Sequence, residues 1–239
     1  MATRRNHQTA DSGMLNLNAE LAGNFGDRRL QRRAAAIAAA WVHGGNSSFP
    51  DMHGDTGAEG LYRLVNNDKF DFTTALDAHV QHTARRAAEV EGLVVVAHDT
   101  TDFAVPLHDP ADVREHFGIK SSRTQGFELH VSKAFAFDRQ NTPLGVLEVK
   151  PFVHAKHLSD GHNRPNGDAA RQYWWEHDGL YENEQQRWVD AVAASSFALG
   201  DKAAHAVHVM DREADDYAML AWMVHRDHRF VQRANTARR

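Results

Sequence analysis

With 239 residues, 42% of them hydrophobic and 25% charged, the chain can bury a sizeable core and is too apolar to be disordered throughout. It has no cysteine, which excludes disulfides and thiolate-bound zinc and fits a reducing cytosol. A net charge of -5 argues against a protein that coats nucleic acid by bulk charge, and no apolar stretch approaches membrane-spanning length, so a soluble cytoplasmic protein is expected.

Residues 1–15 read as flexible. A helix is signalled from Asp27, which can cap it, to Gly44-Gly45, which can end it. Leu30, Ala34, Ile37 and Trp41 recur at helical spacing, and at about 100° per residue they share one stripe. Arg28, Arg29, Arg32 and Arg33 lie on a different arc. That arc reads either as an ordinary solvated basic face or as an anion-binding one. A second helix is expected over Gly57–Val65, with Leu61, Tyr62 and Val65 apolar. A third is expected from Asp71 to about Glu91, with Leu76, Val80, Ala84 and Ala87 on one side. Residues 1–91 thus read as all-helical.

The period then changes. LVVVAH at 93–98 is a short β-branched run, the pattern of a buried strand. ELHVSKAFAF at 128–137 and LGVLEV at 144–149 flank the turn cluster DRQNTP and suggest an antiparallel meander. Residues 155–180 read as loop. A helix follows over 182–199, with Trp188, Val192 and Phe197 as expected core contacts. AVHVM at 206–210 is a further strand, Ala214–His225 a helix with Tyr217, Leu220, Ala221 and Val224 apolar, and RFVQR at 229–233 the last strand. The class is α/β, a mixed sheet behind a helical region.

Two aspartates stand where apolar strands stop. Asp99 follows LVVVAH and Asp211 follows AVHVM. Sites in open α/β sheets gather at strand ends, and carboxylates from adjacent strands suit hard cations such as Mg²⁺. The bland alternative stays open for each: Asp211 as a helix cap, Asp99 as the opening of a turn with Thr100 and Thr101. Asp102, Glu213, Asp215 and Asp216 read as solvated acids or partners of arginines. The chain has 17 histidines, and His154, His157 and His162, amid glycine, asparagine and proline, read as solvated loop residues rather than metal ligands.

VVVAHDTTDF, VHVMDREADDYAML and HRFVQRA together resemble segments of the bacterial DDE transposases of the Tn-five and IS-four group. NFGDRRLQRRA, EGLYRLVNND, GFELHVSKAFAFDRQNTPLGVLEV and ENEQQRW are similar to further segments in the same order, so the resemblance covers about Asn24 to Arg239. It implies an RNase H-like mixed sheet over residues 71–239 and a helical DNA-binding domain over residues 1–70. It implies that Asp99 and Asp211 are catalytic and hold Mg²⁺ or Mn²⁺. Arg28, Arg29, Arg32 and Arg33 are implied to lie at the DNA, with Arg29 and Arg33 on transposon-end phosphates, and Arg233 to hold DNA near the cut. The implied partners are double-stranded transposon ends, target DNA, and a second copy in a synaptic complex at the bacterial nucleoid.

One departure qualifies this. The group's third acid, a glutamate in a Y-x(2)-R-x(3)-E-x(6)-K pattern, has no match in residues 212–239. The catalytic domain is therefore expected to lack its C-terminal part and to show little or no transposition, since losing a catalytic ligand costs orders of magnitude in rate. The alternative is a DNA-end-binding module, or inhibitor, without catalysis.

Overall fold

The computed structural model describes residues 25–44, 49–106, 118–119, 124–152 and 184–234. Residues 1–15 and the loop expected over 155–180, with His154, His157 and His162, lie outside the described residues. The chain forms two compact units, Met1–His79 and Val80–Arg239.

In the first unit, α1 spans Arg28–Gly44, α2 spans Phe49–Val65 and α3 begins at Phe72. Asp27 caps α1 as its sequence position suggests: its Oδ1 accepts from Arg29 N at 2.8 Å, and its carbonyl accepts from Gln31 N. Leu30, Ala34 and Ile37 are buried in a cluster with Phe25 and Leu64, and Phe25 stacks on Phe70 at 5.5 Å. Each fully buried side chain of this size contributes roughly 1.5–3 kcal/mol. The second helix begins earlier than the expected Gly57, and Gly54, at φ 61°, kinks it. Leu64 is buried and the expected Leu61 packs half-buried beside it, whereas Tyr62 and Val65 are exposed. The side chain of Trp41 is outside the description.

The second unit is built on a mixed sheet. Its strands are β1 (Val94–Pro106), β2 (Gly118–Ile119), β3 (Thr124–Ala136), β4 (Pro143–Phe152), β5 (Ala206–Met210) and β6 (Arg229–Gln232). β4 and β2 pair with β3, β3 with β1, β1 with β5, and β5 with β6. The first three long strands form an antiparallel meander, and β5 and β6 run parallel to β1. The β3–β4 turn forms because Asp138 accepts from Gln140 N, Thr142 N and Thr142 Oγ1, while Asn141 takes φ 49°.

One face of this sheet is the core side. Val94, Val96, Ala134, Ala136 and Ala206 are buried there with Ala87 from α3 (Phe72–Ala88) and Leu199 from α4 (Glu184–Leu199). Trp188 and Val192 of α4 pack with Met210, and with Met219 and Met223 of α5 (Tyr217–His225). Phe197 is 90% exposed and faces away from that core. In α5 the buried pair is Met219 and Met223, and Tyr217 and Val224 are exposed. The helix starts three residues after Ala214 because Asp216 caps it, accepting from Ala218 N and Met219 N. Among the described residues, no helix is long and apolar enough to cross a membrane.

Candidate functional site

The strand expected at 93–98 runs on to Pro106, so Asp99 lies inside β1, paired with Val131 of β3, and does not open a turn. What ends near Asp99 is the parallel partner. β1 and β5 pair from Val94–Ala206 to Ala97–Val209. The same register carried two residues further sets Asp99 level with Asp211. β5 and β6 pair from Val207–Arg229 to Met210–Gln232, and Arg233 N donates to Met210 O at 3.2 Å just beyond. Arg233 therefore stands level with Asp211 on the other side. Asp99, Asp211 and Arg233 occupy one level on adjacent parallel strands, where β5 and β6 end and the pairing of β1 with β5 stops, roughly 4.8 Å apart from strand to strand in such sheets.

Alternation along the strands assigns all three to the face opposite the core. Val94, Val96 and His98 are inward, and Val95, Ala97 and Asp99 are outward. Asp99 and Arg233 are exposed and Asp211 is half-buried. Each carboxylate keeps one oxygen on a local amide. Asp99 Oδ1 accepts from Thr100 N at 3.0 Å, and Asp211 Oδ1 accepts from Glu213 N at 2.8 Å, capping the 3-10 turn Arg212–Ala214. Capping is thus a real role of Asp211, though its helix is this short turn. Neither bond uses Oδ2. Two oxygen donors suit Mg²⁺, which keeps several waters and takes one or two carboxylates. Among the described residues, no group of three or more histidines, aspartates and glutamates is placed to hold a metal ion.

Behind this level, on the core face, the strands turn polar. His98, His130 and His208 are each at most 4% exposed. His98 Nε2 lies 2.9 Å from His208 Nδ1, and His98 Nδ1 lies 2.9 Å from Ser132 Oγ. Ser132 Oγ reaches Glu148 Oε2 at 3.5 Å, and Ser196 Oγ reaches His208 Nε2 at 3.3 Å. Burial pulls His208 down to about 4, helped by His228. Burial, then Arg187, also holds His130 at about 4, against the opposing pull of Asp99. His98 is held well below its usual value by burial and by His208. Burial pushes the Glu148 carboxyl up, against Lys150. These histidines were readable as inward positions of VVVAH, ELHVS and AVHVM.

A cleft of about 330 Å³ opens beside His130, lined also by Thr100, Glu128, Arg187, Trp188 and Glu213. Arg187 is buried, its guanidinium carbon 3.4 Å from the centroid of the Phe152 ring and its Nη1 3.9 Å from Glu128. Composition gave no sign of Arg187, because a buried arginine is recognised only by its partners.

In the first unit, Arg28, Arg29 and Arg32 are exposed and Arg33 is half-buried. They fall at i, i+3 and i+4 spacings, so their side chains neighbour one another. Helix α1 carries no acid, and among the described residues no ion pair engages these four guanidiniums.

Residues 17–70 match the family model of the transposase DNA-binding domain. No curated protein matches the chain.

Proposed function

We propose, from the match of residues 17–70 to the transposase DNA-binding family model, that the N-terminal region of this chain binds DNA. From that premise we propose that the whole is a DNA transposase of the DDE kind, in which the second unit is an RNase H-like sheet acting on the phosphodiester backbone. The carrying observation is the shared level of Asp99, Asp211 and Arg233 on three adjacent parallel strands, where the pairing of β1 with β5 and of β5 with β6 stops. The order β4-β3-β1-β5-β6, antiparallel and then parallel, supports the fold assignment.

Arg28, Arg29, Arg32 and Arg33 hold the backbone of a transposon end, fixing where the duplex lies. Arg233 takes a phosphate oxygen beside the two aspartates, as a guanidinium does with two parallel N–H groups. Asp99 and Asp211 would hold Mg²⁺ or Mn²⁺, which would supply stabilisation of charge on phosphodiester oxygens. Target DNA and a second copy in a synaptic complex belong to the same reading, in a bacterial cytoplasm.

A second reading, a DNA-end-binding module without catalysis, is favoured by the cap bond that already employs Asp211. Manganese binding followed by electron paramagnetic resonance on the full chain separates the two. The enzyme reading expects Mn²⁺ to bind the wild type and to be lost from the Asp99→Ala, Asp211→Ala double variant, while gel shifts on end DNA stay unchanged. Equal Mn²⁺ affinity in both proteins would sink the metal assignment and leave the binding module.

A further inference from the structure

The hydrogen bonds behind the level of Asp99 and Asp211 form a connected chain, and one arrangement of protons satisfies every link. A carboxylate only accepts, so Ser132 donates its hydroxyl to Glu148. In that arrangement Ser132 Oγ accepts from His98, with the proton of His98 on Nδ1. His98 Nε2 is left as an acceptor and takes the Nδ1–H of His208. His208 Nε2, in turn, accepts from Ser196. Every imidazole nitrogen in the chain has one partner and one role. The chain crosses β4, β3, β1, β5 and α4 in that order.

Its position is as informative as its direction. One and two pleats earlier, the same face is filled by Val94, Val96, Ala134, Ala136 and Ala206. Apolar packing at this level was available to the fold, and burying a polar network instead is worthwhile only when every member is satisfied. The parallel pairing of β1 with β5 stops at Ala97–Val209. One residue past it, His98 reaches back to His208, which is level with Val96 inside the paired segment, and ties the two strands together. His98 is the residue before Asp99, and on the other flank Ser132 is the residue after Val131, the pairing partner of Asp99.

We infer that the Glu148–Ser132–His98–His208–Ser196 chain is a positioning network that holds Asp99 level with Asp211 for a divalent cation. This rests on the metal reading above. His98, His208 and Ser132 touch neither metal nor DNA; they act through the backbone that carries Asp99. Groups that orient metal ligands typically change affinity by about 10–100-fold when removed.

The test uses the full chain, Mn²⁺ alone as the probe, and nitrogen-15 NMR of the histidines. In the wild type, His98 is expected to be protonated on Nδ1, with a through-bond nitrogen–nitrogen coupling between His208 Nδ1 and His98 Nε2. Ser132→Ala should weaken Mn²⁺ binding about tenfold, and Ser132→Thr, which keeps the hydroxyl, should restore it. A purely structural role would lower the melting temperature of Ser132→Ala without moving the Mn²⁺ affinity of the folded protein, and that result overturns the inference while leaving the metal reading intact. Should Ser132→Ala fail to fold, the wild-type spectrum still decides: a proton on His98 Nε2 overturns the network. Wild-type protein that binds Mn²⁺ no better than the Asp99→Ala, Asp211→Ala variant overturns both.

Discussion

His130 and His208 are neutral in the folded protein down to about pH 4, whereas an unfolded chain protonates histidine near 6.5. Between those values the unfolded state binds more protons, so stability falls as pH falls and is fully present above about 6.5. Each group contributes at most roughly 3 kcal/mol across the window. Urea melts at pH 7, 6 and 5 should show a progressive loss, and a flat profile would show that these imidazoles are not held neutral. The two roles of Asp211 separate at the same scale. Asn keeps a capping oxygen, so Asp211→Asn should leave the melting temperature unchanged while abolishing Mn²⁺ binding. Asp211→Ala should also lose about 1 kcal/mol of stability. An Asp211→Asn protein that binds Mn²⁺ normally would leave the residue as a cap alone. Sequence position identified both aspartates, because an acid after an apolar run is a local pattern. It missed the histidine chain, because Ser132, His98 and His208 meet only through strand pairing across more than a hundred residues, as the separation of 110 between His98 and His208 shows.

Among the elements, strands and helices were legible wherever periodicity was strong, and their faces were less so. Helix α5 carries apolar residues almost all round, so Tyr217, Leu220, Ala221 and Val224 made as plausible a stripe as Met219 and Met223. The cap at Asp216 sets the start, and tertiary packing selects the two methionines. β1 looked short because its apolar run ends at His98, yet antiparallel pairing with β3 carries it to Pro106 regardless of polarity. That extension passes a tight point. A Cβ on Gly126 would lie 1.8 Å from the Phe103 carbonyl oxygen, backbone that cannot swing aside. Gly126→Ala should therefore cost about 3 kcal/mol or unzip the distal β1–β3 ribbon. Hydrogen exchange at 101–106 and 124–129 is the measurement, and unchanged protection there would refute the close approach. For α1, the prediction is electrostatic. Arg29→Ala with Arg33→Ala should lower the salt slope of end-DNA binding by about 2, given a loss near 0.9 per phosphate contact. An unchanged slope would mean that α1 does not meet the backbone.

For the whole molecule, the division of labour fixes where each perturbation is felt. The DNA-binding match and the arginine stripe fall in Met1–His79, and the histidine chain falls entirely in Val80–Arg239. A ligand stabilises only the structure that binds it, by an amount set by its concentration over its Kd, about 2.7 kcal/mol at a hundredfold excess. Proton uptake destabilises only the structure that excludes the proton. Hydrogen exchange on the full chain should therefore show end DNA slowing amides of α1 and α2. Lowering the pH from 7 to 5, after correction for intrinsic exchange, should speed opening in β1, β3 and β5. The reverse pattern would contradict the assignment of DNA binding to the first unit: DNA protection confined to the sheet, with acid sensitivity in α1. Protection appearing around Asp99 in β1 and at the end of β5 only when Mn²⁺ accompanies the DNA is the further result expected if Asp99, Asp211 and Arg233 meet the phosphate backbone together, since the ion is what lets two carboxylates approach an anion. DNA alone should leave those strand ends unprotected, because without the cation like charges repel there.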